Sequence, residues 1–145
     1  MRNRCISIQL VVASLCLLAG MCIYLLFRSR QHLGFIVLDS IGLTSAIDYI
    51  RSLAQGVETT EFVRFCLPDG LWTTSYVLFS DYFNRNESVK SRLLWVSAIP
   101  IIGCVSEMLQ FCGLLPGVFD VLDIVCYAMP LVTYYIIMVI IINHG

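Results

Sequence analysis

Charged side chains are scarce in this chain, and histidines are scarcer still. Asp, Glu, Lys and Arg make up 13% of its 145 residues, and only two residues are histidine. Soluble domains carry about 25% charged residues. The formal charge of −1, with lysines and arginines scattered along the chain, offers no basic field for nucleic acid. These shortages argue against a soluble domain and against nucleic acid as a partner.

The motifs of common catalytic families are missing too. The sequence has no His-Glu-x-x-His, no Gly-x-Ser-x-Gly and no Walker loop, and neither His32 nor His144 is near a nucleophile. Carboxylates alone can hold a metal and hydrolyse a phosphate ester, but normally with positive or imidazole groups beside them. An enzyme is therefore left open without being favoured. We assign no catalytic residue and expect no cofactor.

The seven cysteines include no Cys-x-x-Cys pair. Thiolate metal sites need such paired spacing, so we expect small buried or lipid-facing residues instead. Cys66 and Cys112 are the two that fall near acidic segments and could meet there.

Long apolar runs are what the sequence has in abundance. Hydrophobic residues make up 59% of the chain, and its mean hydropathy is +0.85. A bilayer-spanning helix needs roughly 20 apolar residues. Such runs predict four spans, at residues 5–27, 62–83, 93–115 and 119–143. We therefore predict an all-α fold, a polytopic membrane bundle of about four transmembrane helices in a single domain over residues 1–145.

The segment between the first two runs, residues 31–60, has too many charged residues for a lipid-exposed span. Ile47, Ile50 and Leu53 fall on one helical face, with Asp48 and Arg51 opposite. This pattern predicts an amphipathic helix lying in the membrane interface.

The predicted orientation of the chain in the membrane rests on a small excess of positive residues on one side. A cytoplasmic N-terminus puts five of the nine lysines and arginines inside, which favours that orientation.

Acidic side chains stand at the ends of the predicted spans. They are Asp69 at the second span, Glu107 with Gln110 at the third, and Asp120 with Asp123 at the fourth. Because consecutive spans run in opposite directions, all three groups reach the same membrane face. Carboxylates at membrane depth are costly, so such a cluster is a candidate functional site.

Each acidic residue also has a structural interpretation. Asp120 follows a turn and is expected to cap the fourth helix. Asp69 stands in the first turn after a proline, where capping and ligand binding are both open. Glu107 and Asp123 lie inside helices, where capping is not available, so function is favoured. Trp72, one turn after Asp69, suits the interface and joins the candidate binding residues.

The chemistry of such a pocket is left open by the residues themselves. Carboxylates can bind a divalent cation, carry protons, accept hydrogen bonds from a sugar or lipid headgroup, or hold helices together.

The order of these motifs resembles the second half of the VanZ-like family of small bacterial membrane proteins. In that family a Glu-x-x-Gln ends one span, and Pro-Gly and Phe-Asp-x-x-Asp open the next. The counterparts here are Glu107 with Gln110, Pro116-Gly117, and Asp120 with Asp123 after Phe119. The likeness covers about half of the chain, residues 68–130, and its specific part is residues 107–123.

This chain departs from the family pattern at several positions. Val118 stands where many members have an arginine, Tyr127 where an asparagine is common, and Asp69 alone represents an Asp-Lys-x-x-His motif. The resemblance implies a multi-pass protein of the bacterial inner membrane, in a family whose founding members are linked to glycopeptide-antibiotic tolerance.

From the residues and the resemblance together we predict an acidic pocket that binds a lipid or glycan headgroup, a lipid-linked envelope precursor or a cation. Proton-coupled transport, a channel accessory subunit and a purely structural scaffold are the alternatives. The expected partners are the bilayer and either an envelope precursor or another membrane protein.

Overall fold

The computed structural model describes the backbone of residues 2–28 and 33–144, and the side chains of residues 8–28 and 35–140. Every regular element in these ranges is helical, which confirms the all-α prediction. The α-helices are α1 (Arg2–Phe27), α2 (Leu33–Ser40), α3 (Thr44–Leu53), α4 (Leu67–Phe83), α5 (Val89–Phe111) and α6 (Val121–His144).

Three of these helices are long and apolar enough to cross a membrane: Ile8–Phe27 in α1, Val89–Phe111 in α5 and Val121–Ile140 in α6. Many of their large apolar side chains are exposed, such as Leu15 and Ile102. Exposed apolar surface on this scale suits a protein whose solvent is lipid. The chain is therefore a multi-pass membrane protein.

The predicted second span begins with a five-residue π-helical segment, Phe62–Cys66, which runs directly into α4. Leu67 N–H donates to the Phe62 carbonyl, five residues back, and Pro68 follows at the start of α4. A proline lacks an N–H, so it is tolerated where the helical bonding pattern changes. The helix therefore shifts its hydrogen-bond register at the proline and continues.

The predicted third span, residues 93–115, is displaced toward the N-terminus. Its helix begins at Val89 and ends at Phe111. Gly113, with φ +69°, donates to Gln110 O, and Leu114 N–H donates to Leu109 O at 2.9 Å. These two bonds form a Schellman motif, which ends a helix on a left-handed glycine. The predicted fourth span also changes, because its helix starts at Val121, two residues late.

The predicted interfacial segment contains two short helices, α2 and α3; Gln31 and His32 lie outside the described residues. In α3, Ile47 is buried, whereas Ile50 and Leu53 are 42% and 69% exposed. Arg51 reaches from α3 to the end of α1, where Nη1 donates to the carbonyl of Arg28 at 2.9 Å. A cation suits a helix C-terminus, so this bond fastens α3 to α1.

Helix α4 packs against all three other long helices. Glycines allow close approach at the α1–α4 contact and at the contact between α5 and α6. A Cβ on Gly20 would lie 2.6 Å from Trp72 Nε1, and one on Gly103 would lie 2.7 Å from Tyr127 Cγ. Gly103 therefore marks a close contact between α5 and α6. Small residues at such positions are a common means of packing helices in membranes.

The buried carboxylate of Asp81 connects the four long helices at one end of the bundle. Its Oδ1 accepts hydrogen bonds from Arg92 Nε on α5, at 2.6 Å, and from the Tyr134 hydroxyl on α6, at 2.5 Å. Its Oδ2 accepts from Gln9 Nε2 on α1 at 2.8 Å. Arg92 also forms an ion pair with the same carboxylate. Asp81 itself lies on α4, so one side chain binds to all three neighbours.

An apolar cluster packs beside this network. Val77 of α4 and Val96 of α5 are buried against Tyr134, whose hydroxyl reaches Asp81. Hydrogen bonds gain strength where water is excluded, and unpaired polar groups become costly there.

We predict that Asp81→Asn destabilises the protein by roughly 3 kcal/mol, the lower end of the range for breaking a buried ion pair. The amide leaves the Arg92 charge without a counter-ion. The measurement is the midpoint of unfolding in mixed detergent, titrated with dodecyl sulfate. Glu87→Gln, which removes an exposed carboxylate from the α4–α5 connection, is the matched control and should shift stability by less than about 0.5 kcal/mol. Equal effects of the two variants would contradict a structural role for Asp81.

Candidate functional site

A cavity of about 800 Å³ opens at the other end of the bundle, and we call it the acidic cavity. Its wall contains Asp69 of α4, which precedes Asp81 by twelve residues, or about 18 Å along the helix. The end of α5 and the start of α6 supply the rest of its acidic groups. The four long helices therefore hold one polar network at each end.

Five of the six candidate binding residues line the acidic cavity: Asp69, Glu107, Gln110, Asp120 and Asp123. Alternation of helix direction is what brings them together, as the sequence predicted. The sixth, Trp72, does not line the cavity.

Trp72 lies in the contact between α4 and α1. Its ring centroid is 5.3 Å from that of Tyr24, which in turn stacks on Phe35 at 5.4 Å. The indole fits into the space left by Gly20, and its Nε1 is buried without a hydrogen-bond partner. This placement gives Trp72 a packing role in the α1–α4 interface.

Glu107 is the most deeply buried carboxylate of the cavity, with 5% of its surface exposed. Its Oε1 accepts a hydrogen bond from Gln110 Nε2 at 3.1 Å, one turn along the same helix. Its Oε2 accepts from the backbone N–H of Asp120 at 3.3 Å. Glu107 thereby connects the end of α5 to the start of α6.

The turn between these helices has little room for side chains. Gly117 has φ +146°, in the region that favours glycine, and a Cβ there would collide with the amide oxygen of Gln110. The rings of Phe111 and Phe119 pack at 5.1 Å between centroids. Gln110 is therefore held in place by the turn as well as by Glu107.

Asp120 caps α6, as its sequence position predicted. Its Oδ1 accepts a hydrogen bond from the backbone N–H of Leu122 at 2.8 Å. Its Oδ2 lies 3.9 Å from the Cys66 sulfur, which donates to it. Asp120 thus stabilises the first turn of α6 and also contacts the π-helical segment before α4.

Asp123 differs from the other carboxylates of the cavity in its hydrogen bonding. Its Oδ1 is buried and has no partner. Ligand atoms of Asp123, Asp120 and Cys66 all lie within 4.8 Å of one another, close enough to hold one metal ion. A thiolate with two carboxylates suits a borderline cation such as Zn²⁺. Cys112, considered with Cys66 from the sequence, is exposed and does not line the cavity.

Asp69 makes no capping bond: the N-cap position of α4 is Cys66, with no side-chain hydrogen bond. The capping interpretation of Asp69 is therefore wrong. Its side chain instead faces the cavity.

Sequence reasoning did not include three polar residues that line the cavity: Arg28, Ser106 and Tyr127. Arg28 follows the last residue of α1, and its guanidinium lies over the Phe65 ring, 5.2 Å from the centroid. Alternation of helix direction carries the end of α1 to the same face as Asp69, and that signal could have found it. Tyr127 stands four residues after Asp123, on the same face of α6.

The polar groups of the cavity wall are four carboxylates, one guanidinium, an amide, a phenol and the hydroxyl of Ser106. Carboxylates only accept hydrogen bonds when ionised, so the cavity suits a ligand with donors or positive charge.

Comparison with known proteins adds no family to this picture: no protein-family model matches the chain, and neither does any curated protein or solved structure.

We predict that Asp120→Ala lowers stability by about 1 kcal/mol through loss of the helix cap, whereas Asp120→Asn stays within about 0.5 kcal/mol. Asparagine caps as well as aspartate but carries no charge. The measurement is the detergent-unfolding midpoint of both variants. A loss in Asp120→Asn as large as in Asp120→Ala would show that the charge, and not the cap, stabilises the turn.

Proposed function

We propose that this chain is a VanZ-like protein of the bacterial inner membrane whose acidic cavity binds the headgroup of a lipid, a lipid-linked envelope precursor or a cation. The observation that carries the proposal is the convergence of Asp69, Glu107, Gln110, Asp120 and Asp123 on one cavity, with an unpaired buried oxygen on Asp123. Natural structures leave few buried polar atoms unpaired, and each one asks for an explanation.

The proposal includes a fourth span. The π-helical segment and α4 form 22 consecutive helical residues, five of the first kind and seventeen of the second. At about 30 Å this length suits the hydrocarbon core of a bilayer. With the N-terminus in the cytoplasm, the acidic cavity then opens on the exterior face. In this arrangement α3 rests in that interface, with Ile47 buried and Asp48 exposed.

The cation form of the proposal rests on Cys66, Asp120 and Asp123, whose ligand atoms cluster within 4.8 Å. Proton-coupled transport, alone or as a channel accessory, is the second candidate function. It rests on the burial of the Glu107 carboxylate in the cavity wall. Under that alternative, Glu107→Gln abolishes pH-dependent ion flux into proteoliposomes, which the binding proposal leaves unaffected.

We predict that native mass spectrometry of the purified protein reveals a specific adduct that Glu107→Gln and Asp123→Asn each weaken by about tenfold. Asp123→Asn is the cleaner variant because its Oδ1 has no hydrogen bond to lose. Glu107→Gln places an amide nitrogen against either Gln110 or the Asp120 N–H, so some loss of stability accompanies it. The mass of the adduct distinguishes a metal ion from a lipid.

Glu58→Gln provides the matched control, because Glu58 is an exposed carboxylate before the π-helical segment and does not line the cavity. Its adduct should equal that of the wild type. If no adduct forms in any variant and both cavity variants unfold earlier, the carboxylates are structural and the binding proposal is wrong.

A further inference from the structure

A second cavity lies along the contact between α4 and α6, and we call it the α4–α6 groove. It encloses about 530 Å³ behind an almost wholly apolar wall. Successive turns of the two helices line it with Gly70, Thr74, Leu78, Cys126, Met129 and Thr133. Met129 and Ile137, which also line it, are 57% and 50% exposed, so the groove opens outward from the bundle.

The groove has the length of one membrane leaflet. On α6 it extends over thirteen residues, from Val125 to Ile137, or about 18 Å along the helix axis. The hydrocarbon core of a bilayer is about 30 Å thick, so one leaflet contributes about 15 Å. Since α6 is among the helices apolar enough to cross the membrane, a groove on its outer face contacts hydrocarbon along this length.

Neighbouring residues line the groove and the acidic cavity. Asp69 lines the cavity and Gly70 the groove, while Tyr127 lines the cavity and Cys126 the groove. Gly70 and Cys126 meet across the helix contact, where a Cβ on the glycine would lie 3.4 Å from the cysteine Cβ. The Gly70–Cys126 contact therefore lies between the two spaces, and a molecule that fills both must pass around this contact, with its polar end in the cavity and a hydrocarbon chain in the groove.

The charges of the acidic cavity restrict which polar headgroup a bound molecule can have. Four carboxylates surround it, and Asp123 Oδ1 needs a donor. A primary ammonium offers positive charge and three N–H donors, whereas a trimethylated amine has no donor and a glycerol headgroup has hydroxyl donors but no positive charge. Arg28, in the same wall, supplies a guanidinium, a group that binds phosphate oxygens well.

We propose that the acidic cavity and the α4–α6 groove bind one molecule, a phospholipid with a primary ammonium headgroup, with the headgroup in the cavity and one hydrocarbon chain in the groove. This inference rests on the proposed function and names the ligand class of that site.

The headgroup is tested by titrating the delipidated protein in detergent with phosphatidylethanolamine, phosphatidylcholine and phosphatidylglycerol of identical acyl chains, read by native mass spectrometry. Phosphatidylethanolamine should bind about tenfold more tightly than either of the others. Equal binding of all three lipids would overturn the assignment of a primary ammonium.

The position of the lipid's hydrocarbon chain is tested by filling the α4–α6 groove with a larger side chain. Thr133→Trp places an indole in it at an exposed position and should weaken phosphatidylethanolamine binding by about tenfold. Ile136→Trp adds the same ring to the exposed surface of α6 outside the groove and should leave binding unchanged. Equal loss in both variants would indicate general lipid coating of α6 and overturn the groove assignment.

Comparison with Asp123→Asn separates the two proposals. If Asp123→Asn abolishes phosphatidylethanolamine binding while Thr133→Trp leaves it intact, the cavity binds a headgroup and the groove assignment is wrong. If Thr133→Trp abolishes binding while Asp123→Asn leaves it intact, the lipid binds by its chain alone, and the proposed function of the cavity is wrong. Loss of phosphatidylethanolamine binding in both variants supports one lipid that occupies both the acidic cavity and the groove.

Discussion

The structure depends on the cost of placing a carboxylate among apolar helices. The cost of burying Asp81 is offset by hydrogen bonds that it accepts from Gln9, Arg92 and Tyr134, one from each of the other three long helices. Because the partners come from three directions, the carboxylate is satisfied only when all four helices are in register. Lipid supplies little hydrophobic drive for helices to associate, so such polar contacts and close packing determine the arrangement.

The buried carboxylates at the two ends of the helix bundle differ in how fully they are hydrogen-bonded. Both Asp81 oxygens have donors, and the side chain is part of a closed network. At the other end, Glu107 is satisfied by Gln110 and by a backbone N–H, but Asp123 keeps a buried oxygen without a partner. A closed network such as the one around Asp81 stabilises a fold. A cavity that keeps an unpaired acceptor beside several carboxylates is better explained by a ligand.

Several features of the fold serve to bring the acidic groups close together. The Schellman turn ends α5 at Phe111, and Gly117 lets the chain pass beside Gln110 before Asp120 caps α6. On the other side, the π-helical segment carries Cys66 toward Asp120. The same compactness leaves a groove along α4 and α6 that adjoins the cavity, so the polar site and an apolar surface of leaflet length lie side by side.

The sequence by itself determined the all-α class, the membrane environment and the gathering of acidic residues at one face, because hydropathy and the alternation of helix direction are properties of the chain order. It also predicted the cap at Asp120 from a local pattern. Tertiary structure alone decided the role of Asp81, which looks in sequence like an ordinary helix-end carboxylate. It likewise placed Trp72 against α1 and added Arg28 and Tyr127 to the cavity. Which helix faces meet depends on the packing of side chains distant in sequence, such as Gly103 with Tyr127, and no local pattern encodes that choice.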